Sequence, residues 1–275
     1  MDEQLRRMKR YLRLKVLPTT FCPGCGCGTI LNAFIHALDE LSIPPEEVVT
    51  VTGIGCSSWI PSPYFNGDVL HTTHGRSIAF ATGVKVMKPN MKVVVFGGDG
   101  DLIAIGGNHL IHAARRNIDL TVFLVNNFVY GMTGGQVSPT TPPETSTTTT
   151  PYGNVEKPFS VAELVAVCGA SYVARWTTYH VKQLVEAMKE AITRRGFSFI
   201  EIISQCPINY GRALGMRSGS EFIQYFKEKS ISVEEAENLP RDELKDRFIV
   251  GKLVDEEREE FTEKLRWINR KVQGL

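Results

Sequence analysis

The sequence predicts an α/β fold, a mostly parallel sheet with helices on both faces. Three observations predict it. Short apolar runs rich in β-branched residues alternate with amphipathic helical stretches, the pattern of strands joined by helical crossovers. The runs are almost continuously apolar, as strands covered on both faces must be. Hydrophobic residues make up 43% of the 275 positions, enough for one large buried core.

The elements follow in order. Met1–Lys15 is charged and rich in Arg and Lys, and reads as a solvated helix or arm. It has neither an apolar h-region nor a small-residue cleavage site, so no signal peptide is expected and the cytoplasm is the expected compartment. Val48–Thr52, Val93–Phe96, Leu120–Val125 and Phe199–Ile203 are the expected strands. Thr29–Leu41, Ser77–Met87, Gly106–Arg116, Ser160–Cys168 and Val181–Arg194 are the expected helices. In the last of these, Val181, Leu184, Val185, Met188 and Ile192 share one face and Gly196 lies just beyond the end. Ser138–Gly153 is a Ser/Thr/Pro tract whose composition reads as a surface linker, while its position suggests a loop covering a cofactor. Past Gly215 the chain is charge-rich. The expected organisation is therefore a binding domain over 1–215 and a charged helical extension over 216–275, packed on that domain or on a partner.

Composition excludes several functions. A formal charge of +1 and 9% aromatic residues give no nucleic-acid surface. No apolar run reaches the roughly 18 residues that span a bilayer. There is no G-x-x-x-x-G-K-[ST] loop for ATP. Gly53-Ile54-Gly55 follows a strand, but Ser58 stands where a dinucleotide fingerprint needs Gly or Ala, and Pro61 and Pro63 interrupt any long helix there.

Ligands of a parallel sheet bind at the carboxyl ends of its strands. The loops beginning at Gly53, Gly97, Asn126 and Ser204 occupy those ends and hold most of the unusual motifs. After Val93–Phe96 comes Gly97-Gly98-Asp99-Gly100-Asp101, and Asn126-Asn127 ends the next strand, with 25 residues between Gly100 and the pair. Glycines after a strand let backbone approach a diphosphate, and a following helix N-terminus favours the anion. The carboxylate of Asp99 and the amide oxygen of Asn127 suit octahedral Mg²⁺. Gly-Asp-Gly alone is a common turn, but the spaced Asn-Asn makes the pair specific. It resembles the thiamine-diphosphate motif. That resemblance implies Asp99, Asn127 and the main chain of Val129 as metal ligands, with Gly100, Asp101, Gly131 and Met132 flanking the diphosphate.

Six cysteines stand at 22, 25, 27, 56, 168 and 206. In a reducing compartment, clustering argues for metal or redox chemistry rather than disulfides. Cys22-Pro-Gly-Cys25-Gly-Cys27-Gly28 is a C-x₂-C turn, and Cys56 and Cys206 each follow a strand. Cys22, Cys25, Cys56 and Cys206 make four thiolates, which would hold a [4Fe–4S] cluster or a structural zinc equally well by spacing.

Taken in order, Cys22-Pro-Gly-Cys25-Gly, Gly53-Ile-Gly-Cys56-Ser, His74-Gly-Arg76, the Gly-Asp-Gly and Asn-Asn pair, Tyr130-Gly-Met-Thr-Gly-Gly-Gln136 and Gln205-Cys206-Pro207 resemble the β subunits of 2-oxoacid:ferredoxin oxidoreductases over residues 17 to 215. The resemblance implies a thiamine-diphosphate-binding fold of the diphosphate type. It implies Cys22, Cys25, Cys56 and Cys206 as [4Fe–4S] ligands, and Ile54, Gly55, Ser57 and His74 against the cofactor, with Cys56 between thiamine and cluster. It further implies CoA-dependent oxidative decarboxylation of a 2-oxoacid, with electrons passed to ferredoxin.

The activating carboxylate would come from a partner α subunit carrying the pyrimidine domain, in an α₂β₂ heterotetramer, so no catalytic side chain is expected here. Gly53–Ser58, the Thr-rich tract and Ala174–Tyr179 look closer to 2-oxoglutarate-type subunits than to pyruvate enzymes. Trp59 stands where relatives frequently have Lys or Arg, which moves recognition of a substrate carboxylate away from this position. Cys27 departs from the family pattern and reads as a free thiol lining the cluster loop, a spare ligand being the alternative. His71, His36, His109, His112 and Cys168 read as structural, and Arg115-Arg116 as a helix-end pair. A non-oxidative thiamine-dependent decarboxylase subunit would not need the four cysteines. A zinc-stapled non-catalytic subunit would not need Asp99 and Asn127.

Overall fold

A computed structural model describes residues 3–216 and 218–274. The strands are β1 (Val48–Thr52), β2 (Asp68–His71), β3 (Lys92–Gly98), β4 (Thr121–Asn126), β5 (Val129–Tyr130), β6 (Gln136–Val137), β7 (Tyr172–Thr177), β8 (Ser198–Ile203), β9 (Ser230–Ser232) and β10 (Phe248–Asp255). The helices are α1 (Glu3–Tyr11), α2 (Cys27–Glu40), α3 (Ser77–Met87), α4 (Gly107–Arg116), α5 (Val161–Val167), α6 (Val181–Thr193), α7 (Tyr210–Leu214), α8 (Gly219–Lys229), α9 (Val233–Ala236) and α10 (Phe261–Gln273).

Among the described residues, eight strands form one sheet in the order β2-β1-β3-β4-β8-β7-β10-β9, and β5 and β6 form a separate hairpin. All neighbours in the large sheet are parallel except β7 and β10. β1, β3, β4 and β8 lie side by side. Their carboxyl ends therefore form one edge, which lines up the loops at Gly53, Gly98, Asn126 and Ser204. Helices cover both faces because the strands are apolar on both. On one face Phe34 of α2 packs against Phe65, Phe96 and Phe123, with ring centroids 5.4, 5.1 and 6.2 Å away. On the other face α3, α4 and α5 bury Ile78, Leu110 and Val161. A phenylalanine buried as Phe34 is contributes about 1.5–3 kcal/mol.

Two expectations are corrected. The 216–275 segment is not wholly helical. Its strand β10 pairs antiparallel with β7, and β9 adds to β10, so the extension continues the sheet. Its runs of charge masked Phe248–Asp255, in which only Val250 and Gly251 are buried. The N-terminal helix, in its described part, is only partly solvated. Arg6 and Arg7 both pair with Asp39 on α2, and the Tyr11 hydroxyl donates to the Ile43 carbonyl at 3.0 Å. Charge on α1 therefore pins it to α2.

Candidate functional site

At the carboxyl edge of β1, β3 and β4, a small cavity of about 70 Å³ is lined by Ile54, Gly55, Cys56, Ser57, His74, Asp99, Gly100, Asp101, Asn127, Val129, Gly131 and Met132. These are the twelve positions that sequence reasoning assigned to the cofactor and its metal. Gly98, Tyr130 and Thr133 complete the wall and were not assigned. A larger cleft of about 610 Å³ lies between α2 and α6 and contains none of them. Size does not select the site; convergent polar groups do.

The chain after β3 turns into one stretch of π-helix, Gly100–Ile105, before α4. Such wide turns are common at functional sites because they re-aim side chains. Here the turn aims Asp101 at the neighbouring loops. The Asp101 carboxylate accepts from the Gly75 N–H at 2.7 Å and the Ile54 N–H at 3.3 Å. The approach is so close that a β-carbon on Gly53 would meet Asp101 Oδ2 at 2.2 Å. Asp101 thus lines the cavity chiefly as a latch that joins the Gly53 and His74 loops. His74 Nδ1 lies 3.8 Å from Asp101 Oδ1 and is buried without a hydrogen-bond partner, so it has unused capacity facing the site.

Asp99 is the other carboxylate in the wall, and it is 2% exposed. Burial pushes its pKa up to about 6, although the hydroxyls of Ser138 and Thr140 donate to Oδ2 at 2.6 and 2.7 Å and pull the other way. A shift of that size costs the ionised form about 3 kcal/mol. A cation beside Asp99 would offset it. The donor chemistry therefore fits a hard divalent ion: one buried carboxylate, the side-chain oxygen of Asn127 and nearby main chain. Asn127 Oδ1 accepts from the Val129 N–H at 3.3 Å, across a Phe128 held at a φ of 66°. A left-handed phenylalanine is strained, and such strain concentrates at functional turns.

The Thr-rich tract is not a linker. Ser138, Thr140 and Thr141 are buried, and the Thr141 hydroxyl donates to the Phe128 carbonyl at 2.5 Å. These three side chains are satisfied by the Asp99 and Asn126 loops, which composition alone could not show. The cue in the sequence was position, directly after the Gly131 loop.

The turn that carries Cys22 and Cys25 neighbours the Cys206 loop, and Cys56 and Cys206 both approach Gly131. Gly26 N–H donates to the Gln205 carbonyl at 3.2 Å, which ties the Cys22–Cys27 turn to the Cys206 loop. A β-carbon on Gly26 would sit 2.1 Å from Ser204 Oγ, so only glycine allows that approach. Asn209 donates from Nδ2 to the Gly131 carbonyl at 2.7 Å and joins the Cys206 loop to the cavity wall. The two sites touch at Gly131. A β-carbon there would lie 3.5 Å from Asn127 Nδ2, 3.6 Å from Cys206 Sγ and 3.7 Å from Cys56 Sγ.

All six cysteines are free thiols, Cys22 exposed and Cys27 buried. The Cys27 thiol bonds to Cys25 and draws the Cys25 pKa down to about 7, while burial pushes Cys56 up to about 12. Among the described residues, no three His, Cys, Asp or Glu side chains converge closely enough to hold a single metal ion. Cys168 caps α5 and packs on the core, as its apolar neighbours suggested. Among the described residues no helix is long and apolar enough to cross a membrane.

Comparison with known proteins agrees with this geometry. Residues 53–202 match the family described as thiamine pyrophosphate enzyme, C-terminal TPP binding domain. The 2-oxoglutarate synthase subunit KorB of Methanocaldococcus jannaschii is 51% identical over 265 residues, 96% of this chain and 98% of that protein. The 2-oxoacid:ferredoxin oxidoreductase subunit beta of Saccharolobus solfataricus is 43% identical over 195 residues, 70% of this chain and 64% of that one. The solved 2-oxoglutarate:ferredoxin oxidoreductase from Magnetococcus marinus, with 2-oxoglutarate, coenzyme A and succinyl-CoA bound, superposes with a TM-score of 0.85 at 35% identity, covering 97% of this chain and 90% of that chain. A thiamine-binding wall on a parallel sheet and identity of this extent lead to one conclusion: the chain belongs to the β subunits of the 2-oxoacid:ferredoxin oxidoreductases.

Proposed function

We propose that this subunit, with its α partner, converts 2-oxoglutarate and coenzyme A to succinyl-CoA and CO₂ while reducing two ferredoxins by one electron each. The observation that carries the reading is the junction at Gly131, where Asn127 of the diphosphate wall and the sulfurs of Cys56 and Cys206 all come within 4 Å of one position. A decarboxylase that passes no electrons has no use for thiols there.

Bound thiamine diphosphate supplies a nucleophilic carbon and an electron sink for decarboxylation, and a [4Fe–4S] cluster beside it supplies one-electron capacity. Asp99, Asn127 and the Val129 carbonyl would hold Mg²⁺ on the diphosphate. His74, with its unpaired Nδ1, would meet the cofactor directly, and Ile54 and Met132 would shield it from water. Cys22, Cys25, Cys56 and Cys206 would hold the cluster. The reducing cytoplasm would keep them available.

Close relatives named for 2-oxoglutarate favour that substrate over pyruvate. Trp59, 38% exposed at the end of the Cys56–Trp59 turn, carries no charge for a distal carboxylate, so the partner would provide that contact. The co-expressed complex, assayed anaerobically with viologen, is expected to favour 2-oxoglutarate over pyruvate by about 100-fold in kcat/KM, the scale set by one charge-assisted contact of 1.5–3 kcal/mol. Equal turnover of both, or preference for pyruvate, would reject the substrate assignment.

A further inference from the structure

Only one member of the Asn126-Asn127 pair belongs to the expected metal ligands. Asn126 itself lies buried under the cavity, 3% exposed, and its side-chain amide is engaged at both ends. Nδ2 donates to Glu201 Oε1 at 2.8 Å. Oδ1 accepts from the Phe128 N–H at 3.2 Å and lies 2.9 Å from the Thr140 hydroxyl, which reaches Asp99 Oδ2 at 2.7 Å. Behind Glu201, Arg175 Nε donates to Oε2 at 2.8 Å, and Arg175 also donates to Glu163 and to the Ile249 carbonyl of β10.

These contacts leave the amide one orientation. An ionised carboxylate only accepts, so Glu201 must face the NH₂ of Asn126, and the oxygen must then face Phe128 and Thr140. A buried Glu–Arg pair inside a sheet adds little stability over well-packed apolar residues of the same volume, so stability alone does not account for it. Its geometric effect is specific: it turns a side chain that contacts Phe128 on one side and Thr140, the neighbour of Asp99, on the other. Through Phe128 it holds the strained turn that carries Asn127 and Val129. At Thr140, Asn126 Oδ1 shares with Asp99 Oδ2 the single proton of the hydroxyl, and so acts on that carboxylate through it.

We propose that Asn126, oriented by Glu201, is a positioning residue for the divalent cation, fixing Asp99 by way of Thr140 and the Asn127–Val129 turn by way of Phe128. The inference rests on the assignment of Asp99 and Asn127 to the metal. Outer partners of this kind are worth 10- to 100-fold in metal affinity, as a rough scale.

The test is Mn²⁺ binding, read by electron paramagnetic resonance on the co-expressed complex with thiamine diphosphate present. Asn126→Leu is expected to weaken binding at least about tenfold. Thr140→Val, a buried change that keeps side-chain volume and removes the hydroxyl, is expected to weaken it by a similar factor, and Thr140→Ser to restore it. A role confined to folding would lower the melting temperature and leave the Mn²⁺ affinity of the folded complex unchanged. Thr140→Val and Asn126→Leu complexes that bind Mn²⁺ like the unmodified one would overturn the proposal; should Asn126→Leu not assemble, the Thr140 pair decides alone. Asp99→Asn separates the two levels. Its loss of Mn²⁺ supports the metal assignment, whereas unchanged binding removes that assignment and the positioning role with it.

Discussion

The chain produced without its partner is expected to show no 2-oxoacid-dependent viologen reduction, at least about 10³-fold below the co-expressed complex. Activation of thiamine needs a carboxylate on the aminopyrimidine, and a positioned acid–base group is worth roughly 10²–10⁴ in rate. Asp99 and Asp101 are the carboxylates in the cavity wall. Asp99 is engaged by Ser138 and Thr140, and Asp101 by the Gly75 and Ile54 amides. Neither is available as that base. The mouth of the cavity also exposes apolar side chains, Ile54 at 41% and Met132 at 48%, where a second wall would cover them. Mixing the separately purified subunits should restore turnover. Turnover by the isolated chain would remove the argument for a partner carboxylate.

Replacing Cys56 with Ser is expected to bring viologen reduction at least about 100-fold down, beyond the loss of any outer partner, with loss of cluster iron. Thiamine diphosphate should still bind, because Asp99, Asn127 and His74 are untouched. Cys27→Ser is the contrasting variant. Cys27 is buried at the start of α2 and bonds to Cys25. It should keep its iron and most of its turnover. Iron lost from Cys27→Ser and kept by Cys56→Ser would exchange the two assignments. The measurement is iron content and anaerobic turnover of each variant in the complex.

Where the chain is apolar on both faces of a strand, the sequence was readable. Val48–Thr52 and Ser77–Met87 have the expected bounds, and the other expected strands and helices differ by a few residues at their ends. Three of the missed strands break the apolar pattern for a physical reason. Asp68–His71 is a mostly exposed edge. Tyr172–Thr177 carries Arg175, whose charge is neutralised by Glu163 and Glu201 inside the protein. Phe248–Asp255 lies in a charged tail and buries only Val250 and Gly251.

The cavity wall was legible because its glycines, Asp99 and Asn127 recur at a spacing that the sequence displays directly. The layer behind it was not. Ser138 and Thr140 resemble linker residues until their hydroxyls are seen on Asp99. Glu201 was hidden in an apolar strand, although a lone acid within Phe199–Ile203 was itself a signal of a buried partner.

The central claim is that one subunit holds thiamine chemistry against an iron–sulfur cluster. Iron and sulfide analysis of the anaerobically purified complex, with its absorption spectrum, tests it most directly. About four irons and matching sulfide bound through this chain, in brown protein, is the expected result for a Cys₄-held cluster. Colourless protein with zinc on Cys22, Cys25, Cys56 and Cys206 would contradict it.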